Sequence, residues 1–508
     1  MIAFAALSGP LPKAGVFAVA ALAALALTAG TAKLRAWAMA GALVLAPVLL
    51  LADIWSSPQL RLVHRHPLPA AVGAVVALGL LSALAVLIAR RPSVLALLAV
   101  ASLPFRIPIQ AGGVTSNLLV PLYLVVAAGS LAYIVPAVRS TDDPDEGRQP
   151  GWVQRLLALY IVVYAVQSIY SADFEKALQQ MVFFYVPFAL LFVLLTQLDW
   201  TPRLIKLCFT LVVALAVLFA AIGFVEYGTK TIFLNPKLVV ANDLHTYFTV
   251  NSVFFDPDIF GRFLALVMIG LAVVLLYDRA SDSATRIKQV LGVSVVLAIL
   301  WGGLVLTLSR SSLGALLVGL ATLAALRWRV TRTLWVVVAV VAVGAAAVAI
   351  SPKTFGLNQG LNGASSGRAD LVTGGSDLFT ARPVWGYGSG SFVTEYRRTH
   401  PSSSATLSAS HTIPITIAAE QGVIGELVYL ALVIVAIVVL LRGARSDPAR
   451  AGVAAAFLAL ILHTLLYADF LEDPVTWALL AVGVALASGP PARRSDAATA
   501  LAATAVAA

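Results

Sequence analysis

The chain has 508 residues, of which 60% are hydrophobic and 11% charged, with a net charge of +10. So few polar side chains cannot cover a water-soluble globule, which excludes a soluble domain and predicts an integral membrane protein. The positive charge does not point to nucleic acid, because the basic residues fall in short connections between apolar runs, where they act as topology signals.

Apolar runs occupy residues 15–31, 37–52, 69–89, 117–136, 156–171, 178–196, 207–224, 260–277, 290–307, 311–326, 333–350, 414–440, 449–468 and 474–488. Each is near the length a helix needs to cross a bilayer, so the expected fold is an all-α polytopic bundle of about 14 transmembrane helices. The first run has only Lys13 before it and is too long for the core of a cleaved leader, so it reads as a retained helix. A shorter run, 94–109, is interrupted by Pro104 and Pro108 and reads as a short span or a re-entrant piece. Cys208 lies inside a run and is the single cysteine, so neither an intramolecular disulfide nor a thiol metal site is implied.

The expected divisions are N-terminal helices over 1–154 and a core over 155–350 with an outer loop at 225–259. A large loop over 351–413, further helices over 414–488 and a low-complexity tail over 489–508 complete the chain. Residues 137–155 read as a solvated linker. Lys33 with Arg35, Arg90 with Arg91, Arg203 with Lys206, Arg327 with Arg329, and Arg442 with Arg445 fall in alternate connections, which are therefore cytoplasmic. The same alternation sends 225–259, 308–312, 351–413 and the acidic turn Asp469, Glu472, Asp473 to the opposite side. Backbone with unpaired polar groups is not tolerated in hydrocarbon, so 351–413 caps the bundle at that surface.

Chemistry is expected on that face. In the turn from Ser309 to Gly314, Ser311 or Ser312 is placed to cap the following helix, and Arg310 beside its amides makes an anion site or a simple interface anchor. Arg368 stands at the start of a helix in the large loop, where a guanidinium gives bidentate donation to phosphate or merely faces water. Gly386, Gly388 and Gly390, with Tyr387 among them, permit positive φ and close backbone approach to a ligand, or form a turn. His411 is placed to take a proton near neutral pH or to cap the helix at Pro414. Glu420 follows it by nine residues, and Gly422 and Gly425 suit close helix packing. Asp256 and Asp258 fit a helix entry better than a divalent ion site, with Arg262 a further anion contact. His463 and Tyr467 either line the same cavity or pack.

The order of these elements resembles the O-antigen ligase and polymerase superfamily of bacterial membrane glycosyltransferases. The matching features are Ser309 with Arg310, then Arg368, then Pro383 to Gly390, then His411 followed by Glu420, Gly422 and Gly425. The similarity covers roughly residues 155–480, and Thr412 stands where the family usually has Asn. The resemblance implies a GT-C-like bundle in the cytoplasmic membrane with its active site on the extracytoplasmic face. It implies a polyprenyl-diphosphate-linked glycan donor, a glycolipid, glycan or protein acceptor, inversion, and no cofactor or metal. His411, Arg368 and Arg310 would be catalytic, and Arg262, Glu420, Gly386, Tyr387 and Gly388 would bind substrate. A polysaccharide polymerase of the same superfamily is the alternative; a transporter would require charges or broken helices at mid-membrane.

Overall fold

The computed structural model describes residues 9–54, 65–111, 114–140, 149–233, 239, 242, 247–277, 282–328, 330–350, 368–401, 412–467 and 469–488. His411, most of the large loop, the centre of the 137–155 linker and the tail lie outside the described residues. Helices α1 (Pro10–Thr28), α2 (Ala32–Ile54), α3 (Pro67–Arg90) and α4 (Ser93–Ser102) come first. An antiparallel hairpin of β1 (Ile107–Ala111) and β2 (Val114–Leu118) follows, where the two prolines prevent α4 from continuing as the short span expected there. Next come α5 (Val120–Arg139), α6 (Trp152–Ser168), α7 (Phe174–Thr196), α8 (Pro202–Thr229), α9 (Pro257–Leu276), α10 (Ser283–Leu306), α11 (Arg310–Arg327) and α12 (Val330–Ile350). The loop helices α13 (Arg368–Ala381) and α14 (Phe392–Thr399) precede α15 (Ile413–Leu441), α16 (Pro448–Leu466) and α17 (Pro474–Ser488).

Among the described residues, 11 helices are long and apolar enough to cross a membrane, and α6, α12 and α17 are further apolar helices that match runs in the sequence. Apart from the β1–β2 hairpin, the described residues form a helical, polytopic membrane protein. Two buried clusters hold the bundle together: one joins α1, α2, α5, α6, α7, α15 and α17, the other α8 to α11. Helix α16 serves both, turning Ala454 and Phe457 to the first and Ala451, Ala455 and Ala459 to the second. The alanines at this four-residue spacing let α16 lie close to α9 and α11 without a side-chain layer between them.

Helix α15 is broken at Gly422, whose φ of 63° is outside the helical range. Around the break, the segment from Pro383 to Phe392 supplies what the helix no longer does. Ala419 O accepts from Tyr387 N (3.2 Å), Glu420 O from Gly388 N (2.8 Å), and Val423 N donates to Pro383 O (2.8 Å). The buried Glu420 carboxylate accepts from Gly390 N (2.8 Å) and Phe392 N (3.0 Å). On its other side the segment meets the turn after α6: Tyr170 Oη donates to Trp385 O (2.6 Å), Ser171 Oγ to Ser389 O (2.7 Å), and Ala172 N to Tyr387 O (3.3 Å). Gly388, with φ of 94°, lies so close to Ser171 that a β-carbon would meet its Cα. Under this segment Leu378, Phe392, Tyr396 and Ala419 form a small apolar cluster.

Alanine at Gly388 meets both a strained φ and the Ser171 backbone, so G388A is expected to destabilise by about 1–3 kcal/mol. Gly73 in α3 has open space where its β-carbon would go, so G73A serves as a neutral or mildly stabilising control. Thermal unfolding of the two purified variants checks this, with a lower Tm for G388A alone.

Candidate functional site

The loop end of the bundle gathers a polar cluster at the meeting of α9, α11, α13 and α16. Asp256 caps α9, accepting from Asp258 N (2.7 Å) through Oδ1 and from Tyr467 Oη (2.8 Å) through Oδ2. Burial, and then the neighbouring Asp258 carboxylate, push the Asp256 carboxyl above its ordinary range. Asp258 Oδ1 accepts from Ser309 Oγ and from Ser311 Oγ (3.1 Å), while its backbone carbonyl accepts from Ser312 Oγ (3.1 Å). Ser309, rather than the expected Ser311 or Ser312, caps α11, accepting from Ser312 N (3.2 Å). The extended φ and ψ at Ser309 are what a capping residue needs, whereas Ser311 and Ser312 already lie inside the helix.

Arg368 is the first residue of α13. Its Nη1 donates to Leu466 O (2.8 Å) at the end of α16, and its Nη2 lies 3.6 Å from Asp258 Oδ2. One carboxylate thus links Arg368 to the serines on either side of Arg310. Arg310 itself is exposed at the N-terminus of α11.

Arg262 is buried and pairs with Asp473 at 2.6 Å, so in this state its charge is answered by the acidic turn before α17. His463, fully buried on α16, meets Ser311 Oγ through Nε2 (3.3 Å). Sequence reasoning placed His463, Tyr467 and Asp473 on the right face but left their partners unassigned. Asp258 was read as a helix-entry residue in preference to a divalent-ion ligand, although a second acid just past a capping Asp, opposite a Ser-Arg-Ser turn, is the one signal that marks its role here.

The other expected site residues are held in the segment docked on α15. Gly386 and Gly388 do make the close backbone approach that their spacing predicts, but the chain they approach is the protein's own, at Glu420 and Ser171. Tyr387 is buried, with the Arg382 guanidinium over its ring at 4.5 Å. Glu420, expected from the resemblance to bind substrate, has both carboxylate oxygens on loop amides. Gly422 serves the break in α15 rather than helix packing. Nearby, Glu472 accepts from the Gln180 side chain, which in turn accepts from Tyr164 Oη. Burial, reinforced by Asp469, pushes the Glu472 carboxyl well above its ordinary range.

No curated protein matches the chain. The family model described as O-antigen ligase matches residues 295–430, a segment that contains Arg310, Arg368, Gly386, Tyr387, Gly388, His411 and Glu420, while Arg262, Asp258, His463 and Asp473 lie outside it. That segment, with the Ser-Arg turn and the docked loop it carries, is similar to the O-antigen ligase family.

Proposed function

We propose that the protein transfers a glycan from a polyprenyl-diphosphate-linked donor to a hydroxyl on a glycolipid, glycan or protein acceptor. The reaction takes place at the extracytoplasmic face of the cytoplasmic membrane, in a bundle of GT-C-like type. Arg368 carries the assignment: it stands at a helix start inside the segment that matches the ligase family, held by Asp258 and Leu466 O against the Ser-Arg-Ser turn of α11.

The difficult step is the growth of charge on the leaving diphosphate oxygen. Arg368 is suited to meet it, because its 3.6 Å approach to Asp258 exceeds hydrogen-bond distance and leaves donor capacity on the guanidinium. Arg310 and the N-terminus of α11 add positive potential from the neighbouring element. The acceptor oxygen attacks the anomeric carbon as the bond from that carbon to the diphosphate oxygen breaks, and the electron pair leaves on the diphosphate. The acceptor's proton passes to His411, and attack from the face opposite the leaving group inverts the anomeric centre. Arg262 stays with Asp473 and lends field from behind. Glu420, Gly386, Tyr387 and Gly388 act by fixing the loop that carries α13 rather than by touching substrate.

Incubating the purified protein with a polyprenyl-diphosphate glycan and candidate acceptors tests this reading. Arg368→Ala is expected to lower transfer by on the order of 10²–10³-fold. Arg368→Lys should recover little of this, since a point charge does not reproduce the planar fork. Near wild-type transfer by Arg368→Ala or His411→Ala would remove the assigned roles. Asp258→Asn is expected to lower transfer by only about tenfold, because the Leu466 carbonyl still holds the guanidinium when the charge pair is lost. The ratio of the Asp258→Asn and Arg368→Ala rates in the same assay checks that ordering.

A further inference from the structure

We propose that a groove beside the Gly422 break is a binding site for an anionic phospholipid of the bilayer, separate from the Arg368 cluster. The groove has a volume of about 620 Å³ and is lined by Tyr170, Arg382, Pro383, Val384, Trp385 and Gly386. Its walls are firmly built: Tyr170 is bonded to Trp385 O, and Pro383 O accepts from Val423 N. Arg382 is its one charged group, oriented by the Tyr387 ring beneath it. Among the described residues no carboxylate lies within ion-pair distance of Arg382, and none lines the groove.

Two independent features put this groove at the hydrocarbon boundary. Helix α15 has 29 residues, too long for the bilayer core, whereas the part after the break, from Val423 to Leu441, rises about 28 Å, close to one hydrocarbon thickness. Trp385 and Val384 are also largely uncovered by protein, at 58% and 52% exposure, as interfacial side chains are.

Uncovered apolar side chains also run along α15 from the break. On α15 they are Val423, Leu427, Leu430, Ile434 and Val438, spaced as one helix face. Helix α6 packs beside α15 and presents Leu159, Val166 and Ile169. An uncovered apolar helix face beginning at the break, beside a groove whose one charged group is a guanidinium, matches a lipid acyl chain with a phosphate above it. A zwitterionic headgroup would bring an ammonium with no carboxylate to receive it, so an anionic phospholipid fits better.

The test uses the full chain reconstituted in phosphatidylcholine bilayers containing a small fraction of brominated phosphatidylglycerol, whose bromines quench nearby tryptophan. The quenching assigned to Trp385 is the difference between wild type and Trp385→Phe. We expect that component to favour brominated phosphatidylglycerol over brominated phosphatidylcholine by about fivefold, the scale of one basic residue at a membrane surface. Arg382→Gln should abolish the preference and Arg382→Lys should keep most of it. Mass spectrometry of the same proteins, released intact from detergent, should show phosphatidylglycerol retained by wild type and lost in Arg382→Gln. Equal quenching by the two lipids, or an unchanged preference in Arg382→Gln, would overturn the proposal. So would displacement by equimolar polyprenyl phosphate, which would make the groove a substrate portal. Loss of glycan transfer plays no part in these readouts, so they stand apart from the assignment of Arg368.

Discussion

The break in α15 at Gly422 is the constraint on which the loop face depends. A helix that loses its ladder near hydrocarbon exposes backbone donors and acceptors that water cannot reach, and each must find another partner. Here the partners come from Pro383 to Phe392, which satisfies Ala419 O, Glu420 O and Val423 N in turn. The Glu420 carboxylate completes the match by accepting two amides of the same segment. The described part of the large loop, 368–401, is thereby packed into the bundle, and the position of α13 follows from that docking.

The polar cluster obeys the companion rule for charge. Arg262 is nearly enclosed and would be costly to leave alone, and it is met by Asp473 from a turn about two hundred residues away in sequence. Arg368 is half open, and its carboxylate partner stands farther off. Of the two pairs, the enclosed one holds α9 to the start of α17, and the open one leaves a cation able to exchange its partner for an incoming anion. The difference in burial, rather than residue type, separates the enclosed arginine from the partly open one.

Much of the fold was legible because bilayer thickness converts composition directly into element length: the apolar runs recur as helices, and Arg368 begins one as its flanking sequence suggests. The capping of α9 by Asp256 was equally readable, since an Asp-Pro pair before an apolar run has few other uses. What escaped was set by tertiary pairing. Gly422 looked like a packing glycine because sequence gives no hint of a second segment whose amides will meet the helix there. Gly386 and Gly388 looked like ligand-approach residues for the same reason: the sequence specifies that backbone comes close, but not to what. The partnership of Arg262 with Asp473, and of Asp258 with both serines, depends on how α9, α11 and α17 are brought together, which no local pattern encodes.

Helix α13 connects the two ends of this arrangement. It has 14 residues, about 21 Å of rise, with Arg368 opening it at the polar cluster and Arg382 following its last turn at the groove. Its middle is pinned, because Gly374 lies against Tyr396 and Gly375 against Ile415 and Phe392, so neither position has room for a β-carbon. One short element packed at its centre thus sets the separation of the Arg368 and Arg382 positions. The docking at Gly422 sets how that helix lies, so the same backbone break that closes the fold also decides where Arg368 is held.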